Sequence, residues 1–410
     1  MKRISVITAL FSFFIASLHA SDPIFLRITR DLREKVEISV LLSAPKDAYW
    51  EDFLKTVSGD LDYSGYFSVT GSVFTDNFST ARQEYKGRLA MIAEKTGEGL
   101  GIRVEGDPGG KALFEKKYPY PGPSGPRGLA HAVCNDLVFN LTGKPGIAGS
   151  RILFVSDRTG NYQLYQVEYD GENLKRLTDA KYMVHYPRWL YPGKELLFVS
   201  YKGGWPKLAR KKIPSGEERV ILSHPGLNAC ASPCLKTGEL AVVLSHEGGP
   251  EIYITDFDGR ILKRVTRNRA TDASPSFSPC GKMISFVSDM HGSAQVYIMT
   301  REGTRIRRIS YLSGYSTSPA WSPDGNLIAY VFLRGGSYGI AVYEVSTGET
   351  RVVAGAAGSE DVSWAPDSRH LVYSDISRKP GSVTVLDAVT GEKRKLTGGS
   401  GNSFSPGWGG

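Results

Sequence analysis

Apolar positions return on a fixed beat through the last two thirds of the chain. Phe154, Phe198, Val242, Phe286, Tyr330 and Tyr373 stand 44, 44, 44, 44 and 43 residues apart, and Leu177, Leu222, Val265, Ile309, Val353 and Leu396 keep nearly the same spacing. A third series, Trp189, Leu235, Phe277, Trp321, Trp364 and Trp408, is aromatic in five of six places. Between these markers short runs of β-branched and aromatic residues alternate with turns. Ser318–Gly325 reads Ser-Pro-Ala-Trp-Ser-Pro-Asp-Gly, and Leu327–Val331, Gly339–Tyr343 and Thr350–Val353 follow it. Period-2 runs bounded by Pro-Asp-Gly and Thr-Gly predict antiparallel hairpins. Four short strands repeated every 40 to 45 residues predict the blades of a β-propeller. The array opens at Arg151 without its innermost strand and finishes on Ser405-Pro-Gly-Trp408. The last strand is therefore expected to complete the first blade, leaving no sheet edge open.

The preceding segment follows a different period. Asp47 stands before Trp50, Phe53, Leu54 and Val57, which share one helical face, so it predicts a capped helix. Leu129, Val133, Leu137 and Leu141, four apart, predict a second helix ending at Gly143. Val36–Leu42 and Gly101–Glu105 read as strands. These elements predict a two-domain chain: an N-terminal α/β domain over 21–145, then a six-bladed β-propeller over 146–410 closed by its C-terminal strand. Gly143–Ile147 is a short linker, so the two domains are expected to touch.

The start of the chain predicts a secreted protein. Lys2 and Arg3 precede an apolar run from Ile4 to Ser17, and Leu18-His-Ala20 ends it, the pattern of a signal peptide over 1–20 cleaved near Ala20. The run is shorter than the roughly 20 residues needed to span a bilayer. Of the net charge of +8, +7 lies after residue 150, and Lys263, Arg264, Arg267, Arg269, Arg305, Arg307 and Arg308 alternate along outer strands as solvated faces do. No nucleic acid is expected as a partner. The four cysteines, Cys134, Cys230, Cys234 and Cys280, do not form a metal pattern, and Cys230 and Cys234 on one strand would stand roughly 13 Å apart, beyond disulfide reach. Buried or semi-buried free thiols are expected, with no metal and no cofactor, although His224 lies near.

Two motifs invite enzymatic readings that their context opposes. Gly335-Gly-Ser-Tyr-Gly339 matches a nucleophile elbow in spelling, yet it falls between two propeller strands and not on a strand-to-helix turn. Asp256-Phe-Asp-Gly259 could suggest calcium, but Tyr169-Asp-Gly171, Glu302-Gly303 and Thr347-Gly348 hold the same place as hairpin turns. His131 and Asp136 share a helix without a nucleophile, so no catalytic residue is assigned.

Asp60-Leu-Asp-Tyr-Ser-Gly-Tyr-Phe67 resembles the signature of the TolB family of periplasmic envelope proteins, and Arg127–His131, Asp136, Leu141–Lys144 and Arg151–Ser156 resemble that family's helix, linker and first blade strand in the same order. The resemblance runs from about Asp22 to Gly410. It departs at Glu37–Leu42, where the family carries a proline, at Thr75–Thr96, and at Leu235, where a tryptophan is usual. It implies a non-enzymatic, monomeric adaptor of the Tol-Pal system, supporting outer-membrane integrity, constriction at division and protein import. The propeller mouth would hold a Pal-like peptidoglycan-associated lipoprotein. The loops before the inner strands place His185, Asn228, Asp272, Thr317, Asp361 and Asn402 there as candidate contacts. The mature N-terminus, Ser21, Asp22, Pro23, Ile24, Phe25, Leu26, Arg27 and Ile28, would add as a strand to a TolA-like inner-membrane protein. The alternative is a periplasmic small-ligand or glycan-binding propeller, or a cryptic hydrolase, with the N-terminal domain as a lid.

Overall fold

The computed structural model describes residues 34–409 apart from 86–87, 98, 107–109, 123 and 356–357. The expected leader over 1–20 and Ser21–Ile28 thus lie outside the described residues.

In the N-terminal domain, strand β1 (Val36–Ser43) leads into helix α1 (Ala48–Tyr63), whose start is fixed by the Asp47 side chain accepting from the Trp50 amide at 3.1 Å. Strand β2 (Phe67–Phe74), helix α2 (Phe78–Glu84) and strands β3 (Leu89–Thr96), β4 (Gly99–Glu105) and β5 (Ala112–Tyr118) follow, and helix α3 (Gly125–Thr142) ends the domain. Gly143 closes α3 in the left-handed conformation, its amide reaching the Phe139 carbonyl at 2.8 Å. The sheet order is β2-β1-β3-β4-β5, with β1 parallel to both neighbours and the rest antiparallel. Trp50, Phe53, Val57 and Leu61 of α1 and Val133, Leu137 and Leu141 of α3 pack with Ile38, Val40, Met91, Ile102 and Val104 of the sheet. Leu41 and Ala90 pack instead with Ala81 of α2. The poorly matching segment Thr75–Thr96 is the part that holds α2 and β3.

The remainder is a ring of six four-stranded antiparallel sheets. Their inner strands are Ser403–Gly409, Val184–Tyr191, Asn228–Cys234, Asp272–Phe277, Tyr315–Trp321 and Ser359–Trp364, in blades one to six. Blade one is closed by the C-terminal strand, which pairs with Arg151–Ser156 from Ser403↔Ser156 to Gly409↔Arg151. Trp408, buried, donates its indole N–H to Ser150 Oγ at 2.9 Å. Neighbouring blades are stapled by serine hydroxyls on the inner strands. Ser232 accepts from the Phe277 amide at 3.0 Å, Ser276 from Trp321 at 3.0 Å, and Ser363 from Trp408 at 3.1 Å.

Two sequence expectations need correction. The third series does not pass through Leu235: Pro233 pairs with Leu240 just as Phe277 pairs with Ile284 and Trp321 with Ile328. Leu235 lies past the strand, 55% exposed, and mimicked the series only because an apolar turn residue fell close to the expected spacing. All four cysteines are free, but Cys280 is exposed, since it occupies the turn closed by the Gly281 amide on the Ser278 carbonyl.

Candidate functional site

Each inner strand carries one residue with positive φ: Tyr186, Cys230, Ser274, Ser318, Asp361 and Ser405, at 48° to 54°. None is glycine, and a left-handed residue of this kind costs on the order of 1–3 kcal/mol. In all six blades it falls where the inner strand slips register against its neighbour, so it is a β-bulge. Five of the six, all but Ser405, line the central channel, a cavity of about 260 Å³ that Arg188 also lines.

The channel carries opposed charges. Arg188 donates to the carbonyls of Pro187 at 2.9 Å and Pro406 at 3.0 Å, while Asp361 accepts from Ser405 Oγ at 2.8 Å. Burial pushes the Cys230 thiol up to about 11, with Arg188 opposing and Asp361 adding to the rise. Cys230 is thus a protonated wall residue at neutral pH.

The six mouth candidates fall at different depths. Asn228 and Asp272 are fully buried beneath the rim. Asn228 Nδ2 donates to the His224 carbonyl at 2.7 Å and its Oδ1 accepts from the His224 amide, while Asp272 accepts from Asn268 at 2.8 Å. Burial raises the Asp272 carboxyl, against hydrogen bonds from Ser288, Asn268 and Thr266. Both residues hold loops in place and present no surface. His185 sits among Tyr162, Tyr186 and Phe404, with ring centroids 5.2 to 5.7 Å away, and burial lowers its pKa, so it is a neutral aromatic at pH 7. Thr317 is half-buried and pairs with Val331. Asp361 faces the channel. Asn402 is exposed but locks the closing strand, binding Asp157 at 2.9 Å and the Gly381 amide at 3.0 Å.

Sequence reasoning missed the channel residues Tyr186, Arg188, Cys230 and Ser274, and the rim aromatics Trp205 and Tyr311, which are 68% and 72% exposed. The channel residues had a signal: the left-handed series itself repeats every 43 or 44 residues. Ser337 lies in the two-glycine hairpin of Gly335 and Gly336, joining antiparallel strands, so the elbow spelling is a turn. Asp256 spends its Oδ1 on the amides of Asp258 and Arg260, at 3.0 and 2.9 Å.

At the opposite end of the ring, where the inner strands finish, the signature residues form the joint with the N-terminal domain. Asp60 of α1 accepts from His131 Nδ1 of α3 at 2.7 Å and from the Tyr169 hydroxyl of blade one. Arg127 of α3 bridges Glu168 at 2.9 Å and Asp170 at 2.8 Å. His131 Nε2 stands 3.9 Å from Glu168, too far for a hydrogen bond. Burial lowers the His131 pKa, but the Asp60 and Glu168 carboxylates outweigh it and raise it to about 9. Burial raises the Glu168 pKa, but His131, Asn173 and Arg127 outweigh it and bring it to about 2. Asp136 is not the partner of His131; it binds Lys116 at 2.6 Å and Tyr118 at 2.8 Å.

The rest of the signature meets blade six. Arg394 lies over the Tyr63 ring at 3.9 Å and donates to the Tyr169 carbonyl at 2.7 Å. Arg369 lies over Tyr66 at 4.6 Å while bonding Asp387 at 2.8 and 3.0 Å. Gly65 between them has φ +78°, and a Cβ there would stand 2.6 Å from Arg369 Nε. The apolar cluster of the N-terminal domain continues through Ile147 into Ile152, Phe154, Tyr169, Val372 and Val385 of blades one and six. One core therefore spans both domains.

Comparison with known proteins agrees with this architecture. The family model for the TolB beta propeller domain matches residues 138–410. The TolB homolog of Chlorobium chlorochromatii is 32% identical over 247 residues, 57% of this chain and 55% of that one. The homolog of Chlorobium luteolum is 36% identical over 185 residues, 44% and 41% of the two chains. The Tol-Pal system protein TolB of Desulfosudis oleivorans is 34% identical over 158 residues, 38% and 36%. The chain thus spans about half or less of the length of the curated relatives it matches. Among solved structures, TolB from Acinetobacter baumannii superposes with a TM-score of 0.79 over 92% of this chain and 96% of that one; at 22% identity the likeness is one of fold.

Proposed function

The chain belongs to the TolB β-propeller family, and from that premise we propose that it is a periplasmic, non-enzymatic docking protein of a Tol-Pal envelope system. The mouth of the ring would receive a Pal-like peptidoglycan-associated lipoprotein, and Ser21–Ile28 would engage a TolA-like inner-membrane protein as an added strand. The protein would thereby link the inner-membrane energy source to the outer membrane, in support of envelope integrity, constriction and import.

One observation carries the reading: a ring matched by the TolB model is joined, through one continuous core, to an N-terminal domain that keeps the fold seen in A. baumannii TolB. The channel supports it. Its walls mix serines, a tethered arginine and a protonated thiol with Trp321, Trp364 and Trp408, and about 260 Å³ is below the usual size of a small-ligand pocket. Among the described residues no helix is long and apolar enough to cross a membrane.

The test is capture from detergent-solubilised envelope of the source organism by tagged residues 21–410, with the bound proteins identified by mass spectrometry. A peptidoglycan-associated lipoprotein retained on the full ring supports the adaptor. Saturable glycan binding with no lipoprotein retained overturns it in favour of a carbohydrate-binding propeller.

A further inference from the structure

The rim of the mouth is uneven in charge once internal pairs are set aside. Along blades two to five, Lys202, Arg267, Arg269 and Arg334 are all exposed, and among the described residues their side chains have no hydrogen-bond or ion-pair partner. The carboxylates of the same arc keep their charge but are turned inward by hydrogen bonds within the rim. Glu247 pairs with Arg264 at 2.5 Å, and buried Glu251 holds Arg264 at 3.2 Å and the Asn268 amide at 2.9 Å. Asp272 is buried on Asn268, and Asp289 accepts from the Thr271 amide at 2.8 Å. Strand direction places all these groups at the end where the inner strands begin, the end away from the N-terminal domain.

Trp205 and Tyr311 stand on the same arc, mostly exposed. Exposure of these two side chains brings the ring no burial of apolar surface. Exposed tryptophan, tyrosine and arginine are the residues that dominate protein interfaces. We propose that this arc, Lys202, Trp205, Arg267, Arg269, Tyr311 and Arg334, docks an acidic protein surface. The proposal rests on the mouth being the docking face. An anionic bilayer is the competing occupant; exposed Trp205 and Tyr311 among arginines are the composition of a protein interface, and the vesicle arm of the test separates the two.

The test uses the mature chain and three probes: poly-L-glutamate, poly-L-lysine of equal length, and vesicles of equal phosphatidylglycerol and phosphatidylcholine. The triple variant K202E/R267E/R269E reverses the arc. K236E/K282E/R305E reverses three exposed cations at the opposite end as a control for net charge. Polyglutamate is expected to bind, with affinity falling steeply as salt rises, and the arc variant is expected to weaken it by about tenfold or more while the control changes it by less than about twofold. Equal loss in both variants overturns the proposal, as does vesicle binding through the arc without polyglutamate binding. If the envelope experiment captures a lipoprotein that the arc variant retains at unchanged affinity, the acidic-surface proposal falls and the docking reading stands. If no lipoprotein is captured, the docking reading falls independently of the polyglutamate result.

Discussion

Asp60 and His131 stand 71 residues apart in the chain and 2.7 Å apart in the fold, and the same carboxylate holds Tyr169 of blade one with its second oxygen. A buried carboxylate shared by two helices and a blade makes the domain boundary a single charged joint. Asp60→Ala leaves His131 and Tyr169 buried without their acceptor, a loss on the order of 3–5 kcal/mol. Differential scanning calorimetry is expected to show the wild type unfolding with its two domains coupled, and Asp60→Ala resolving into two transitions with the N-terminal domain melting first. One unchanged transition in the variant would show that the apolar core alone couples the domains.

The same joint makes stability depend on pH. The folded pKa of His131, about 9, exceeds its unfolded value, so its charged form is stabilising in full below pH ~6.5 and that contribution is lost as pH rises through about 9. A shift of this size corresponds to roughly 3 kcal/mol. Urea midpoints are expected to fall between pH 6.5 and 9.5 in the wild type, and the fall is expected to flatten in His131→Asn. Parallel losses in both proteins would assign the effect to another group.

Gly65 is set by conformation and space together. An alanine there adopts φ +78° and places its Cβ 2.6 Å from Arg369 Nε, pushing Arg369 off Asp387 and Tyr66. Gly65→Ala is expected to lower stability by about 1–3 kcal/mol. Arg369→Ala opens the space, so the double variant should cost less than the sum of the singles. Strict additivity in denaturant titrations would place the whole effect in the backbone.

Removing residues 403–410 takes the inner strand from blade one, including Trp408 and its bond to Ser150. The truncated chain is expected to lose cooperative unfolding and to aggregate through the exposed Arg151–Ser156 edge. Trp408→Ala keeps the strand and is expected to cost about 3–5 kcal/mol. A truncated protein that elutes and melts as the full chain does would rule out the last strand as the closure.

Thiol chemistry separates surface from interior. Cys280 is exposed, and its pKa is lowered by the Ser278 hydroxyl, whereas Cys134 and Cys230 are raised by burial. Ellman's reagent is expected to titrate Cys280 alone in the native protein and all four thiols after denaturation. A fast second equivalent would show that the channel admits the reagent to Cys230.

The parts of this fold legible in sequence are those written in local period or local chemistry. The 44-residue beat specified the ring, Asp47 marked the start of α1, and Gly143 marked the end of α3. The parallel pairing of β1 with β2 and β3 was hidden, because it is set by strands that approach from distant segments and leave no turn signature between partners. The joint was visible as a run of letters but not as contacts, since Asp60 meets Tyr169 across 109 residues. The mouth was misjudged residue by residue for another reason. Asn228 and Asp272 are polar residues near a loop, yet their hydrogen bonds are consumed within the rim, and polarity alone does not distinguish a group that caps a loop from one that faces solvent.

Blade one has a consequence in time. Its two partner strands are far apart in the chain, so Ser156 meets Ser403 only after the 247 positions that separate them have reached the compartment where the ring folds. Until then, the strand that begins the ring presents an unpaired edge while the other blades assemble beside it. The period of greatest exposure to misassembly is therefore set by the length of chain between two strands of one sheet, and adding strength to the other blades does nothing to shorten it.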